Sequence, residues 1–228
     1  MRKVGALLVG SMGLVALAQG AAPLATDDAG VLEARACEVE TYGQRLRHTG
    51  TDPVRVVSAS FTCGIGTRSQ IGVGSARTSS AGAHADAVGV SGKTGLFASD
   101  APAPLALALA WRLSASRVDG NGFRHEGTAL TLVASRPLGS GITAHANLGW
   151  AHSQAAHASS TSWNVAAEAA LGAGIEALAE VYGDDRGRPW RAVGARWSPT
   201  SRVSFGVAWQ RSAHPRSRAA SLGVKLGF

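Results

Sequence analysis

Charged side chains are scarce in this 228-residue chain: Asp, Glu, Lys and Arg together make up 16% of it. That share does not suit a charged, soluble helical protein, and an apolar content of 45% is too high for a disordered one. The body of the chain also lacks the run of about 20 apolar residues that a spanning helix needs. The best candidate, Ala101 to Leu113, is interrupted by Pro102 and Pro104 and carries Arg112. No phosphate loop, dinucleotide fingerprint, haem motif or calcium loop is present, so no cofactor is expected. Cysteine is confined to Cys37 and Cys63, and two thiols without a nearby third ligand do not indicate a metal site.

What the chain does have is alternation. Its last eight residues run S-L-G-V-K-L-G-F, with Leu222, Val224, Leu226 and Phe228 on one face of a strand and Ser221, Gly223, Lys225 and Gly227 on the other. An apolar row opposite small or charged residues suits a strand with lipid outside and a polar lumen inside. A mean hydropathy of +0.06 is what such alternation averages to. Period-2 segments between turn signals number about twelve, from Val31 to Gln44 through Val54 to Thr67, Ala103 to Arg117 and so on to Ser217 to Phe228. Alternate connections, such as Thr67-Arg68-Ser69 and Gly172-Ala173-Gly174, are compact, whereas the intervening ones are on the whole longer and more polar. The expected fold is therefore all-β: a transmembrane antiparallel up-and-down β-barrel over residues 31–228, its short turns at the periplasmic end.

In that register Trp111, Trp150, Trp163 and Trp209 lie toward the outer ends of the apolar rows, and Phe97, Trp197, Phe205 and Phe228 toward the periplasmic ends. Two aromatic belts at the membrane interfaces would result. The opposite parity places Glu38, Glu40, Lys93, Arg112, His145, Asn147, Glu168, Glu176, Glu180, Arg196 and Lys225 in the lumen. Mixed charges in a narrow barrel form either a structural ion network or a selectivity constriction, and the sequence does not separate the two. Lys93, Arg112, Glu168, Glu176, Glu180, Arg196 and Lys225 are the candidates for the constriction. Cys37 and Cys63 are equidistant from Gly50 in the intervening turn, so a symmetric hairpin sets them opposite each other as a candidate disulfide.

The amino terminus agrees with export. Arg2 and Lys3 precede an apolar stretch from Val4 to Ala18 and then small residues, the pattern of a cleaved secretory signal over 1–22. Residues 23–30 are then expected as a periplasmic segment. The net charge of +7 falls to +5 once Arg2 and Lys3 leave. The remaining arginines invite an anionic partner. Lipopolysaccharide is expected, with Arg211, Arg216 and Arg218 as contacts, rather than nucleic acid. A soluble β-sandwich is the competing fold; it leaves the export signal and terminal Phe without a common cause.

For catalysis, His152-Ser153 is the nearest approach to the hydrolase chemistry of some outer-membrane barrels. Adjacent strand residues point to opposite faces, so the pair lacks the required geometry. Gly89-Val90-Ser91-Gly92 has the wrong spacing for a nucleophile elbow. No enzymatic activity is expected.

Two further motifs carry a resemblance. The terminal Phe and its strand resemble the signal by which outer-membrane barrels engage their assembly machinery. Thr26-Asp27-Asp28, together with Gly223 to Phe228, resembles a bacterial outer-membrane barrel family named for the meta-pathway of phenol degradation and often called transporter-like. Asp86, Lys93 and Glu180 look like family positions. The resemblance implies a bacterial outer-membrane location and a channel or transporter-like barrel that passes small, aromatic or hydrophobic solutes by passive diffusion. The alternatives are a closed structural or lipopolysaccharide-binding barrel and, third, a lipid hydrolase. Asp27 and Asp28 are expected to shape a turn before the first strand.

Overall fold

The structure, a computed structural model, describes residues 23–98, 105–212 and 217–228. Twelve strands follow in chain order: β1 (Cys37–His48), β2 (Val54–Gly66), β3 (Ser69–Ser80), β4 (Ala83–Ala98), β5 (Ala106–Val118), β6 (Arg124–Gly139), β7 (Ile142–Ser153), β8 (Ala158–Gly172), β9 (Ile175–Asp184), β10 (Trp190–Thr200), β11 (Val203–Ser212) and β12 (Ser217–Gly227). Each pairs antiparallel with its chain neighbours, and β12 returns to β1 to close the barrel. Closure leaves no strand edge unpaired, which is the condition for a sheet to sit in hydrocarbon. The terminal residue completes the seam: Phe228 N–H donates to the Cys37 carbonyl at 2.9 Å, and Cys37 N–H donates back at 2.8 Å.

The wall is apolar outside. Val57 is 63% exposed, Leu148 58% and Val193 59%, and comparable side chains continue around the outside of the barrel. A water-soluble protein would leave no apolar surface of that extent uncovered, whereas hydrocarbon makes it the stable arrangement. The aromatics take their expected heights except Trp111, which lies mid-strand in β5 against Gly92 of β4. Trp150, Trp163 and Trp209 face outward near one end, and Phe97, Trp197, Phe205 and Phe228 near the other. Trp197 stacks on Phe205 across β10 and β11, and Phe61 on Phe228.

Two-residue turns close several hairpins at the end of the barrel where β1 begins. Thr67-Arg68, Ser140-Gly141 and Ala173-Gly174 all hold both residues at positive φ, the geometry whose twist matches the flanking strands. Cys37 and Cys63 stand directly opposite in register and are joined by a disulfide, with 4.1 Å between their Cα atoms.

The first strand departs from expectation. It begins at Cys37 rather than Val31 and continues to His48. Ahead of it, Ala36 N–H turns back onto the Glu33 carbonyl, Arg35 adopts a φ of 70°, and Ala34 forms a lone parallel bridge with Gly64. Gly64 permits that crossing, since a Cβ there would lie 2.0 Å from the Glu33 carbonyl oxygen. Residues 23–30 were expected in the periplasm; the structure instead carries them inside the barrel, where Leu24, Thr26, Asp27 and Ala29 are buried. The proposed signal, residues 1–22, lies outside the described residues, as do Pro102 and Arg216.

Candidate functional site

The barrel interior is organised around this amino-terminal segment. Leu24 packs on Ala166 of β8 and Leu178 of β9, and Ala29 packs on Ala108, Ala110 and Val133 of β5 and β6. The small residues on the inner wall leave room for the segment, and burial of Leu24 alone is worth about 1.5–3 kcal/mol.

Polar anchors fix its position. The Glu180 carboxylate of β9 accepts hydrogen bonds from Ala25 N–H at 3.0 Å, Thr26 N–H at 2.9 Å and the Thr26 hydroxyl at 2.8 Å. Across the lumen, Lys93 Nζ of β4 pairs with Asp27 at 3.0 Å and donates to the Asp28 carbonyl at 2.9 Å. Asn147 of β7, with its amide oriented to suit its neighbours, accepts from Asp27 N–H at 2.8 Å and donates to the Asp27 carbonyl at 2.9 Å. Asn164 donates to the Ala25 carbonyl, and Ser135 accepts from Ala29 N–H. Asp28 does form the expected local turn, accepting from Gly30 N–H at 2.6 Å. Asp27 instead holds the segment to the opposite wall.

Nearer the end where β1 begins, the inner charges pair. Arg196 of β10 bonds Glu168 of β8 and lies 3.4 Å from Glu176 of β9; His145 of β7 lies 3.9 Å from Glu168. Lys225 of β12 sits 3.6 Å from Glu38 of β1. Each opposite charge offsets desolvation of its partner. Every sequence-derived lumen candidate shares the inward parity, but they separate into groups. Lys93 and Glu180 hold the segment, Glu168, Glu176 and Arg196 form a network in the wall, Lys225 pairs with Glu38, and Arg112 lines the open cavity.

That cavity has a volume of about 560 Å³. Leu24, Ala25, Asp27 and Asp28 line its floor, and Asp184, Arg186 and Arg188 line it at the outer rim. Along β1 and β12 its lining descends to Glu38 and Lys225, past the segment. Between floor and rim lie neutral polar and aromatic groups. Gln210 accepts from the Tyr182 hydroxyl at 2.9 Å and from the Gln44 amide at 3.2 Å. Tyr182 stacks on Trp190, which packs on Leu46, Val54, Val56 and Ala219. The same wall of the vestibule, from β9 round to β2, thus carries an apolar cluster beside amides and hydroxyls.

Sequence reasoning missed Tyr42, Gln44, Tyr182, Trp190 and Gln210 because it sought charges. Their inward parity was the available signal. His152 and Ser153 face opposite sides of the wall, and the imidazole meets Ser159 at 3.1 Å instead. That pair cannot act as nucleophile and base. Among the described residues no cluster of three metal-ligating side chains occurs.

Solved structures share this architecture at very low sequence identity. The NanC porin aligns with a TM-score of 0.61 and 7% identity, covering 82% of this chain and 98% of that one. The KdgM porin in complex with disordered oligogalacturonate gives 0.60 and 7%, covering 84% and 99%. The COG4313 outer membrane channel from Pseudomonas putida F1 gives 0.58 and 10%, covering 88% and 98%. No curated protein matches the sequence. The fold is accordingly that of outer-membrane porins. A family profile matches residues 8–220, and the chain belongs to the family described as Uncharacterised conserved protein UCP029691.

Proposed function

We propose that this protein is an outer-membrane channel that admits small solutes by passive diffusion into an outward-facing vestibule, with its own amino-terminal segment as the constriction. The observation that carries the reading is the 560 Å³ cavity running from the rim to a floor built by residues 24–28. A barrel that served only as a wall has no need of a solvent-sized chamber lined by converging polar groups. Passage follows the β1 and β12 side, where Glu38 and Lys225 line the descent. Tyr42, Tyr182 and Trp190 suit aromatic or hydrophobic solutes, in keeping with the resemblance to the phenol-degradation family. Lys225, Glu38 and Arg112 add a charge preference. The carboxy-terminal strand, ending on an outward Phe228, is the element offered to the assembly machinery.

A second reading draws on the same segment. Its anchors to both walls fit a barrel held permanently shut, a structural component of the membrane. Liposome swelling separates the two. Wild-type protein that admits small solutes, with faster flux when Lys93→Met and Glu180→Leu remove both anchors, supports the channel. No flux in either form overturns it and leaves the closed barrel.

A further inference from the structure

Four arginines form one cross-strand row on the outer wall. Arg191 of β10 stands opposite Arg211 of β11, Arg211 opposite Arg218 of β12, and Arg218 opposite Arg47 of β1. Beside them Arg45 of β1 faces Arg55 of β2. All six are exposed and share the parity of the outward apolar residues. With strands about 4.8 Å apart, the row of four extends over roughly 14 Å.

Like charges set directly opposite repel. Among the described residues none of these six arginines forms an ion pair with a carboxylate, although the chain supplies such partners elsewhere on the same wall. On β3, β4 and β5, toward the same end of the barrel, Asp86 lies between Arg77 at 2.6 Å and Arg117 at 3.0 Å. The row on β10, β11, β12 and β1 has no equivalent of Asp86.

The height of the row bears on which anion it suits. Trp209 lies two residues below Arg211 on the same face, and Val193 two below Arg191, about 7 Å along each strand. The guanidinium groups therefore sit just above the outer edge of the apolar band, at the level of lipid headgroups. A row of planar, permanently charged forks is suited to bidentate contact with phosphate. We infer that this arginine row is a binding site for the phosphorylated disaccharide headgroup of lipid A in the outer leaflet, Arg47, Arg191, Arg211 and Arg218 taking its phosphates. Arg211 and Arg218 were candidates from sequence; the register adds Arg47 and Arg191, and Arg216 lies outside the described residues.

The inference rests on the outer-membrane part of the reading above, and a binding assay in detergent keeps it separate from conduction. Detergent-purified full-length protein is titrated with diphosphoryl lipid A and with fully dephosphorylated lipid A. The expected result is binding tighter by roughly tenfold or more for the phosphorylated lipid. That preference is lost in R211Q/R218Q, is partly kept in R211K/R218K, and changes by less than about twofold in the rim variant R186Q/R188Q. Heat-modifiable mobility verifies that each variant is a folded barrel. If the double variant does not fold, R211Q and R218Q are tested singly. Equal affinity for the two lipids, or an equal loss in the row and rim variants, overturns the assignment.

Discussion

Glu180→Gln tests whether the amino-terminal segment is held by the contacts described above. Glu180 is 3% exposed, and its two oxygens together receive Ala25 N–H, Thr26 N–H and the Thr26 hydroxyl. Gln preserves the volume but has a single acceptor oxygen. If that oxygen serves Thr26, the amide NH2 confronts Ala25 N–H, donor against donor. A hydrogen bond to a charged group contributes about 1.5–3 kcal/mol, so loss of one such bond sets the expected cost. Relief of the buried carboxylate's desolvation returns part of it, which favours the lower end of the range. At about 1.4 kcal/mol per decade, the docked-to-released ratio of the segment falls roughly tenfold to a hundredfold. Ala29→Cys provides the reporter, because Ala29 is 6% exposed and the two native cysteines are joined to each other. Maleimide labelling of Cys at this position is expected to be slow in the parent and to accelerate by that same factor with Glu180→Gln. Lys93→Met, which removes the partner of Asp27, should produce a similar acceleration. Unchanged labelling in both variants would refute the anchoring role.

Gly64→Ala is expected to loosen the same segment from its other end, since a Cβ there meets the Glu33 carbonyl oxygen at 2.0 Å. Overpacking of this kind costs about 1–3 kcal/mol, and faster cleavage within residues 30–36 by added protease is the readout. Replacing both Cys37 and Cys63 with Ser removes a crosslink across 26 residues, worth roughly 3.5 kcal/mol on the loop-entropy account. The unfolding temperature, read from heat-modifiable mobility, should fall in that variant and should fall equally when the parent is reduced. Intact mass of protein taken from outer membranes should place the mature amino terminus at Pro23 or within a few residues of it. In phosphate-free detergent, R211Q/R218Q should be at least as thermostable as the parent, because two members of a mutually repelling row have been neutralised.

Much of the wall was legible from the chain alone. Strand faces alternate with period two, so Leu222, Val224, Leu226 and Phe228 declared the outward side, and inward parity followed for Lys225 and the other lumen residues. The opposition of Cys37 and Cys63 came from hairpin symmetry about Gly50, and the compact turns from their Gly, Ser and Pro content. These features are local, set within one strand or one hairpin. Residues 23–36 were misplaced for the complementary reason. Thr26, Asp27 and Asp28 have ordinary turn chemistry when read locally, and their partners Lys93, Asn147 and Glu180 lie far along the chain on three different strands. Only closure of the barrel brings those side chains around one axis, where an extended backbone must find donors and acceptors away from water. The arginine row is of the same kind. Arg47, Arg191, Arg211 and Arg218 are scattered in sequence, and the β12–β1 seam makes them neighbours. Alternation is a property of the extended chain, so the outward side of each strand is written in its residues. Which charges meet, what fills the lumen and which arginines stand in one row depend on the register of twelve strands around a closed wall.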